Sequence, residues 1–396
     1  MRAKPIRPPR GFRFAGVACG LKKNGGPDLA VVVSDAPCAA AALFTRNAFP
    51  AAPVLYDRAL LAENPGGIRA VAINAGIANA CTGEAGLAAA AAMARGVEAA
   101  LSLPPRTAAV MSTGVIGPQL DVARVAHGAA AAAAGLDPTG WEGAARAIMT
   151  TDTRPKTAFR QAGPARLFGM AKGAGMIHPD MATMLTLIVT DAEAEPRQLD
   201  RLVRAAVDAS FNCISVDGDT STNDTVMALA NGRAGPVAEP ELAAALLDLC
   251  TDLAQQIVRD GEGATKFITV EVRGARSDAD ARCAAKAVAN SPLVKTAFYG
   301  GDANWGRILA AVGYSGAAVD PALASLRIAP GASAAGGLQL VGRGQPLPYD
   351  EAAATAIFAD DDIAVLVELG LGEDAATVWT CDLSHDYVDI NGHYRT

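Results

Sequence analysis

The feature that most constrains the fold is a nearly continuous apolar run at residues 184–189, MLTLIV, which follows a segment rich in glycine and turn-forming residues. A strand of this composition has no polar face to turn toward water, so it belongs in the interior of a sheet that is covered on both sides. Other short apolar runs alternate with helical patterns along the chain, and this alternation predicts the α/β class.

The patterns predict individual elements. Strands are predicted at 29–33, 68–73, 108–111, 185–190, 267–272, 325–328 and 363–369. Helices are predicted at 83–101, 122–134, 196–208, 239–260, 278–289 and 349–359. With 396 residues, 51% of them hydrophobic, the chain can bury a large core. We expect a main α/β domain at 1–275 and a smaller C-terminal α/β lobe at 276–396.

Composition argues against several classes of function. The net charge is −7, and the only basic cluster is Arg2, Lys4, Arg7, Arg10 and Arg13. Prolines interrupt this cluster, so we interpret it as a solvated tail and expect no nucleic-acid partner. No run of 18 apolar residues predicts a membrane span. The seven cysteines are scattered without a CxxC pair, which predicts no disulfide framework, no metal site and a cytoplasmic location.

The loop before the apolar run contains a candidate nucleophile. Gly173 and Gly175 permit a tight bend, and Ala182-Thr183 stands directly before the strand. If the bond between these two residues broke, the free amine of Thr183 could accept the proton of its own hydroxyl and activate it for attack. The alternative is that the threonine only packs at a strand start, where β-branched residues are common.

Three other segments combine glycine with polar groups. Residues 110–117, VMSTGVIG, could direct backbone N–H groups and a hydroxyl at one point, as an oxyanion hole requires. Residues 217–224, DGDTSTND, form a polar loop that fails the EF-hand calcium template. Residues 260–266, DGEGATK, could let Glu262 bind an ammonium group. Taken singly, an ordinary turn, a self-bonded loop and a helix end explain these segments equally well.

Taken together, the phrases resemble the ornithine acetyltransferases of arginine biosynthesis, also called glutamate N-acetyltransferases. The resemblance runs over almost the whole chain in order. Its phrases are NAGIANACTG from Asn74, STGVIG from Ser112, TTDTRPK from Thr150, KGAGMIHPDMATML from Lys172, VDGDTSTND from Val216, DGEGATK from Asp260, DANWGRI from Asp302 and DINGHYRT at the C-terminus. Eight phrases in sequence order make a specific match.

The resemblance implies a layered α/β sandwich of the type that ornithine acetyltransferases share with self-processing aminopeptidases. It implies self-cleavage between Ala182 and Thr183 into an α chain, 1–182, and a β chain, 183–396. Thr183 is the implied nucleophile, and Thr113 and Gly114 are the implied oxyanion pair. The implied substrate contacts are Thr150, Lys172, Thr183, Glu262, Asn391 and Thr396.

The implied reaction moves the acetyl group of N2-acetyl-L-ornithine to L-glutamate through an acetyl-threonine intermediate. No metal or cofactor is expected, and acetyl-CoA stays open as a second donor. The implied assembly is an α2β2 heterotetramer of the cleavage products, with small-molecule substrates and no membrane partner. Two alternatives stay open from the residues: an N-terminal-threonine aminopeptidase, which gives the acyl group to water, and a binding protein without catalysis.

Overall fold

The computed structural model describes residues 7–178 and 184–393, and it divides into two compact units. The first unit comprises Met1–Asn212 and Asp219–Ile257, and the second comprises Cys213–Gly218 and Val258–Thr396. The division by contacts therefore starts the second unit before the strand Phe267–Ala275, whereas the sequence places a domain boundary after it. The predicted domains at 1–275 and 276–396 stay a prediction.

The first unit is built on one large sheet with helices packed on it. Its strands are β1 Phe12–Val17, β2 Leu29–Phe44, β3 Ile68–Ile77, β4 Ala108–Val115, β5 Lys156–Ala162, β6 Ala165–Lys172, β7 Leu185–Glu193 and, after the short β8 of the second unit, β9 Thr225–Pro236. Its helices are α1 Ala52–Glu63, α2 Gly83–Ala100, α3 Val122–Ala134, α4 Trp141–Ala147, α5 Pro196–Asp208 and α6 Glu239–Arg259, whose last residues belong to the second unit.

The order of strands in this sheet is β4-β3-β2-β9-β7-β6-β5, and β1 also pairs with β2. The long strand β2 joins the two halves of the sheet, because its residues 29–33 pair with β3 and its residues 39–44 pair with β9. Strand β7 lies inside the sheet, between β6 and β9, and is buried at every position from Leu185 to Ala192. The predicted strand that is covered on both faces is confirmed.

The second unit has its own sheet and core. Its strands are β8 Ile214–Ser215, β10 Phe267–Ala275, β11 Ser325–Pro330, β12 Leu338–Gly342, β13 Gln345–Pro346, β14 Asp362–Glu368 and β15 Asp374–Cys381, in the order β13-β12-β11-β14-β10-β15-β8. Its helices are α7 Asp278–Asn290, α8 Pro292–Tyr299, α9 Trp305–Gly313, α10 Glu351–Phe358 and α11 His385–Gly392. Each unit mixes parallel and antiparallel strand pairs, so the predicted α/β class is confirmed.

The six predicted helices are all present within two residues of their predicted ends. The predicted start of α3 is also confirmed, since the Asp121 side chain accepts a hydrogen bond from the N–H of Arg124. Prediction was poorer for strands. The predicted strand end after Met111 is wrong, because β4 keeps pairing with β3 as far as Val115. Within the described part of the chain, no helix has the length and apolarity needed to cross a bilayer.

Candidate active site

One end of the strand pair β6–β7 brings several of the predicted site residues together. Lys172, the last residue of β6, pairs with Leu185, the first residue of β7. The buried ammonium of Lys172 lies 3.2 Å from the hydroxyl oxygen of Thr113 in β4, and it donates a hydrogen bond to that oxygen. The start of the strand that follows Thr183 in the sequence therefore lies beside a lysine and the first of the two predicted oxyanion residues.

Gly114, the second predicted oxyanion residue, has a backbone that only glycine tolerates. Its φ is +133°, and a Cβ at this position would lie 2.2 Å from the backbone carbon of Gly76 in β3. These two glycines are register partners in the parallel pair of β3 with β4. The pairing of β3 with β4 is irregular here, since its register shifts directly after these two glycines.

A buried carboxylate, Asp152, organises the chain around Lys172. It accepts hydrogen bonds from the Lys156 ammonium at 2.6 Å, from the N–H of Gly173 at 2.7 Å and from the N–H of Thr150 at 2.9 Å. Burial by itself would raise the pKa of Asp152, but the charges of Lys172 and Lys156 and these hydrogen bonds outweigh it and lower the pKa to about 2. Asp152 is therefore ionised. Its hydrogen bonds hold the backbone at the predicted contact Thr150 and at Gly173, the residue after the predicted contact Lys172.

Two neighbouring residues of the loop 217–224 close the same end of the sheet. The Asn223 side chain donates hydrogen bonds to the carbonyl oxygens of Ala78 at 2.6 Å and Ser112 at 2.8 Å, which ties the ends of β3 and β4 together. Burial raises the pKa of Asp224 well above its usual range, against the opposing charge of Lys172 and a hydrogen bond from the N–H of Met184. Asp224 therefore lies beside Lys172 and accepts a hydrogen bond from Met184, the residue next to Thr183 in the sequence.

The second unit contains two of the predicted substrate contacts, and it brings them together. The Asn391 side chain of α11 donates a hydrogen bond to the buried carboxylate of Glu262 at 2.8 Å. The loop that contains Glu262 packs tightly on the start of the helix, because a Cβ on Gly263 would lie 2.6 Å from the nitrogen of Tyr387. A substrate ammonium group that displaced Asn391 could form an ion pair with the buried carboxylate of Glu262.

Three predicted site residues, Ala182, Thr183 and Thr396, lie outside the described residues. Sequence reasoning named Lys172 and Thr150 but missed the residues that hold them, Asp152 and Lys156. The signal was present, because both lie in the phrase TTDTRPK, and a carboxylate and a lysine four residues apart in an apolar setting tend to pair. Among residues 7–178 and 184–393, no three His, Cys, Asp or Glu side chains converge as a metal site.

Comparison with known proteins identifies the family. A family model described as the ArgJ family matches residues 13–396. The arginine biosynthesis bifunctional protein ArgJ of Geobacter sulfurreducens is 49% identical over 403 residues, which cover 98% of this chain and 99% of that protein. The protein of the same name from Thermotoga neapolitana is 46% identical over 401 residues, with coverage of 98% and 99%.

A crystal structure of the arginine biosynthesis bifunctional protein argJ from Bacillus halodurans matches 51% of this chain and 95% of its own, with 41% identity and a TM-score of 0.48. The family model and the two relatives, each covering nearly the whole chain, are sufficient to assign the family. The chain therefore belongs to the ArgJ family, and the predicted enzyme class, an acetyltransferase of arginine biosynthesis, is confirmed.

Proposed function

We propose that this enzyme transfers the acetyl group of N2-acetyl-L-ornithine to L-glutamate through an acetyl ester on Thr183. We also propose that it matures by breaking its own Ala182–Thr183 bond, which gives chains 1–182 and 183–396. One observation carries the proposal: the strand that follows Thr183 begins beside Lys172, and Lys172 contacts Thr113. A nucleophile one residue before Met184 would have a cation and a hydroxyl within reach.

In the proposed first half-reaction, the α-amine of Thr183 takes the proton of its own hydroxyl, and the hydroxyl oxygen attacks the acetyl carbonyl. The tetrahedral intermediate carries a negative oxygen, which the Thr113 hydroxyl and the backbone N–H of Gly114 stabilise. The carbon–nitrogen bond to ornithine then breaks. The ornithine amine leaves with the proton, and the acetyl group stays on Thr183 as an ester.

In the proposed second half-reaction, the amine of glutamate attacks the ester and regenerates the Thr183 hydroxyl. The ester conserves the acyl bond, so the transfer needs neither ATP nor a resident cofactor. Lys172 is suited to a substrate carboxylate, since ammonium–carboxylate hydrogen bonds are among the stronger ones. Glu262, with Asn391 beside it, is suited to a substrate ammonium group, and Thr150 and Thr396 complete the proposed substrate contacts.

The decisive experiment combines a mass measurement with a transfer assay. In denaturing electrophoresis, the wild type should give bands of about 18 and 22 kDa, in proportion to the shares of the two fragments in the 40.2 kDa chain. A brief incubation with N-acetylornithine should add one acetyl group to the larger fragment. Thr183→Ala should stay intact and inactive, while Thr183→Ser keeps a hydroxyl and should cleave.

Three outcomes would contradict the proposal: an active protein that is not cleaved, an acetyl group on the fragment 1–182, or release of free acetate in place of N-acetylglutamate. The last outcome would indicate the hydrolase that an N-terminal threonine also permits. Acetyl-CoA in place of N-acetylornithine tests whether it serves as a second donor. We further propose a cytoplasmic α2β2 heterotetramer, and native mass spectrometry measures its subunit composition.

A further inference from the structure

The basic N-terminal segment, interpreted from sequence as a solvated tail, lines a pocket in the first unit. The pocket has a volume of about 470 Å³. Its lining comprises Arg7, Pro8, Pro9, Arg10, Gly11, Phe12, Arg13, Asp35, Pro138 and Arg166. We call it the arginine pocket. Four arginines from two distant parts of the sequence line it, and the proposed acetyl transfer uses none of them.

A buried carboxylate holds this segment in place. Asp191, near the end of β7, accepts hydrogen bonds from the N–H of Arg10 at 3.0 Å, from the Arg10 guanidinium at 3.1 Å and from the N–H of Arg166 at 2.6 Å. Asn231 adds a hydrogen bond of 2.9 Å to the carbonyl oxygen of Arg10. The side chain of Asp191 is fully buried, while that of Arg10 is 43% exposed. The backbone of the pocket is therefore fixed, and its charged side chains face solvent.

The protein engages the guanidinium groups of only two of these four arginines, Arg10 with Asp191 and Arg166 with the carbonyl oxygen of Pro8. The side chains of Arg7 and Arg13 are exposed, and neither forms a hydrogen bond or ion pair with any residue in the described ranges. Asp35 is the only acid in the lining, and Arg233 already pairs with it at 3.0 Å. Arg7 and Arg13 therefore bring two guanidinium charges without a counter-charge to the pocket, on a chain whose net charge is −7. An anion that enters the pocket would supply that counter-charge.

We propose that the arginine pocket binds a small, multiply charged anion that carries phosphate groups. The guanidinium group offers paired N–H donors whose geometry matches two oxygens of a phosphate, and the two groups without a partner, Arg7 and Arg13, suit a ligand with more than one phosphate. The volume lies in the range of small-molecule pockets. A nucleic acid would extend beyond the pocket over a protein surface of net negative charge, which disfavours that partner.

The arginine pocket is separate from the proposed reaction site. Arg166 and Lys172 stand six residues apart on the straight strand β6, a distance of about 20 Å along the strand. A ligand of the pocket would therefore leave Lys172 and Thr113 untouched, and the site is independent of the proposed acetyl transfer.

Isothermal titration calorimetry of the mature enzyme with sodium tripolyphosphate tests the proposal. The double variant Arg7→Gln/Arg13→Gln removes the two guanidinium groups that have no partner within the described residues, so its fold should be intact. It should bind tripolyphosphate at least about tenfold more weakly. The matched control is Arg197→Gln, an exposed arginine of α5 that likewise has no partner within the described residues, and it should bind like the wild type. Both proteins should keep the wild-type rate of acetyl transfer.

Three parallel titrations define the ligand. Binding of a nucleoside triphosphate that is tighter than that of tripolyphosphate assigns the pocket to a nucleotide, and equal binding assigns it to the phosphate chain itself. Citrate should bind more weakly than either. The proposal is overturned if the wild type does not bind at about 0.15 M salt, if the double variant and Arg197→Gln lose affinity equally, or if a single-stranded oligonucleotide binds more tightly than tripolyphosphate.

Discussion

Both ends of the strand pair β6–β7 carry charged groups, but the two ends differ in how far these groups are exposed to solvent. At the end with Lys172 and Leu185, the charges of Asp152 and Lys156 are withdrawn from solvent and bonded to one another. At the end with Arg166 and Asp191, only the carboxylate is buried, and the guanidinium groups around it reach into water.

The difference in exposure fits the two proposed roles, catalysis at the Lys172 end and anion binding at the Arg166 end. Burying charged groups is costly, so a fold retains a buried network where the network serves a purpose, and shifted pKa values in such a network indicate a functional site. The Lys172 end has one acid whose pKa is lowered to about 2 and one whose pKa is raised, Asp152 and Asp224, and the charge of Lys172 acts on both. The Arg166 end has a rigid frame under accessible cations, an arrangement suited to reversible binding from solution.

The largest expected effect is at the buried ion pair. Asp152→Asn leaves the Lys156 ammonium without its counter-charge in a site closed to water, and we expect the free energy of unfolding to fall by about 3–5 kcal/mol. Urea denaturation measures it. The control is Asp200→Asn, which removes an exposed pair with Arg204 and should cost less than about 1 kcal/mol. Equal costs for the two variants would contradict a special status for the Lys172 end.

The next effect is on turnover. Thr113→Ala removes one oxyanion donor, which is worth roughly 2.7–4 kcal/mol in the barrier, so kcat should fall by about 10²- to 10³-fold. Thr113→Ser keeps the hydroxyl and serves as the control. Binding of tripolyphosphate to the arginine pocket should be the same in both. If Thr113→Ala turns over acetylornithine at the wild-type rate, the hydroxyl has no role in the oxyanion site.

A smaller effect should appear in acid. The pKa of Asp152 is about 2 in the folded chain against an ordinary value of 3.8, so its contribution is complete above 3.8 and disappears as the pH falls through 2. The shift corresponds to about 2 kcal/mol. Chemical denaturation of wild type and Asp152→Asn between about pH 5 and pH 2 should show the difference between them shrinking by that amount. A constant difference would mean that Lys172 and Lys156 do not lower the pKa of Asp152.

The smallest effect is expected at Asp224. Burial raises its pKa and so favours the neutral carboxyl, whose shape an amide reproduces, and we expect Asp224→Asn to change stability by less than about 1 kcal/mol near pH 5. The proton contributes stability at low pH that is lost as the pH rises toward the pKa of the folded state. The free energy of unfolding of Asp224→Asn should therefore rise relative to that of the wild type as the pH rises. A loss of stability comparable to that of Asp152→Asn would show that Asp224 is an anion in the folded chain.

Much of the fold was predictable, and the errors have physical reasons. Helices such as α5 were predicted to the residue because an amphipathic period and a proline at the start are local signals. Strand β6 was missed because Gly169 interrupts its apolar pattern. The glycine is needed because a Cβ at this position would lie within 3 Å of Leu249 and Leu253 of α6. The requirement comes from a neighbour 80 residues away, which no local pattern records.

The candidate site divides in the same way. Its named residues, Thr113, Gly114, Lys172 and Glu262, came from phrases that resemble a family, and the sequence alone was enough to assign the enzyme class. The spacing of Asp152 and Lys156 could have predicted their pairing, but not the hydrogen bond from Gly173 to Asp152, because β5 and β6 must pair before these residues meet. The arginine pocket was not predictable either, because the sequence alone indicated only a solvated tail for its basic segment.

The sequence by itself determined which segments form helices, which strand must be buried on both faces, and which chemistry the chain resembles, because these depend on periodicity and on short runs of residues. Only the tertiary structure decided in which direction the pKa of each buried acid is shifted and which arginine side chains lack a counter-charge. A pKa depends on burial and on charges a few ångströms away, and residues far apart in the chain come within that distance only when the sheet has formed.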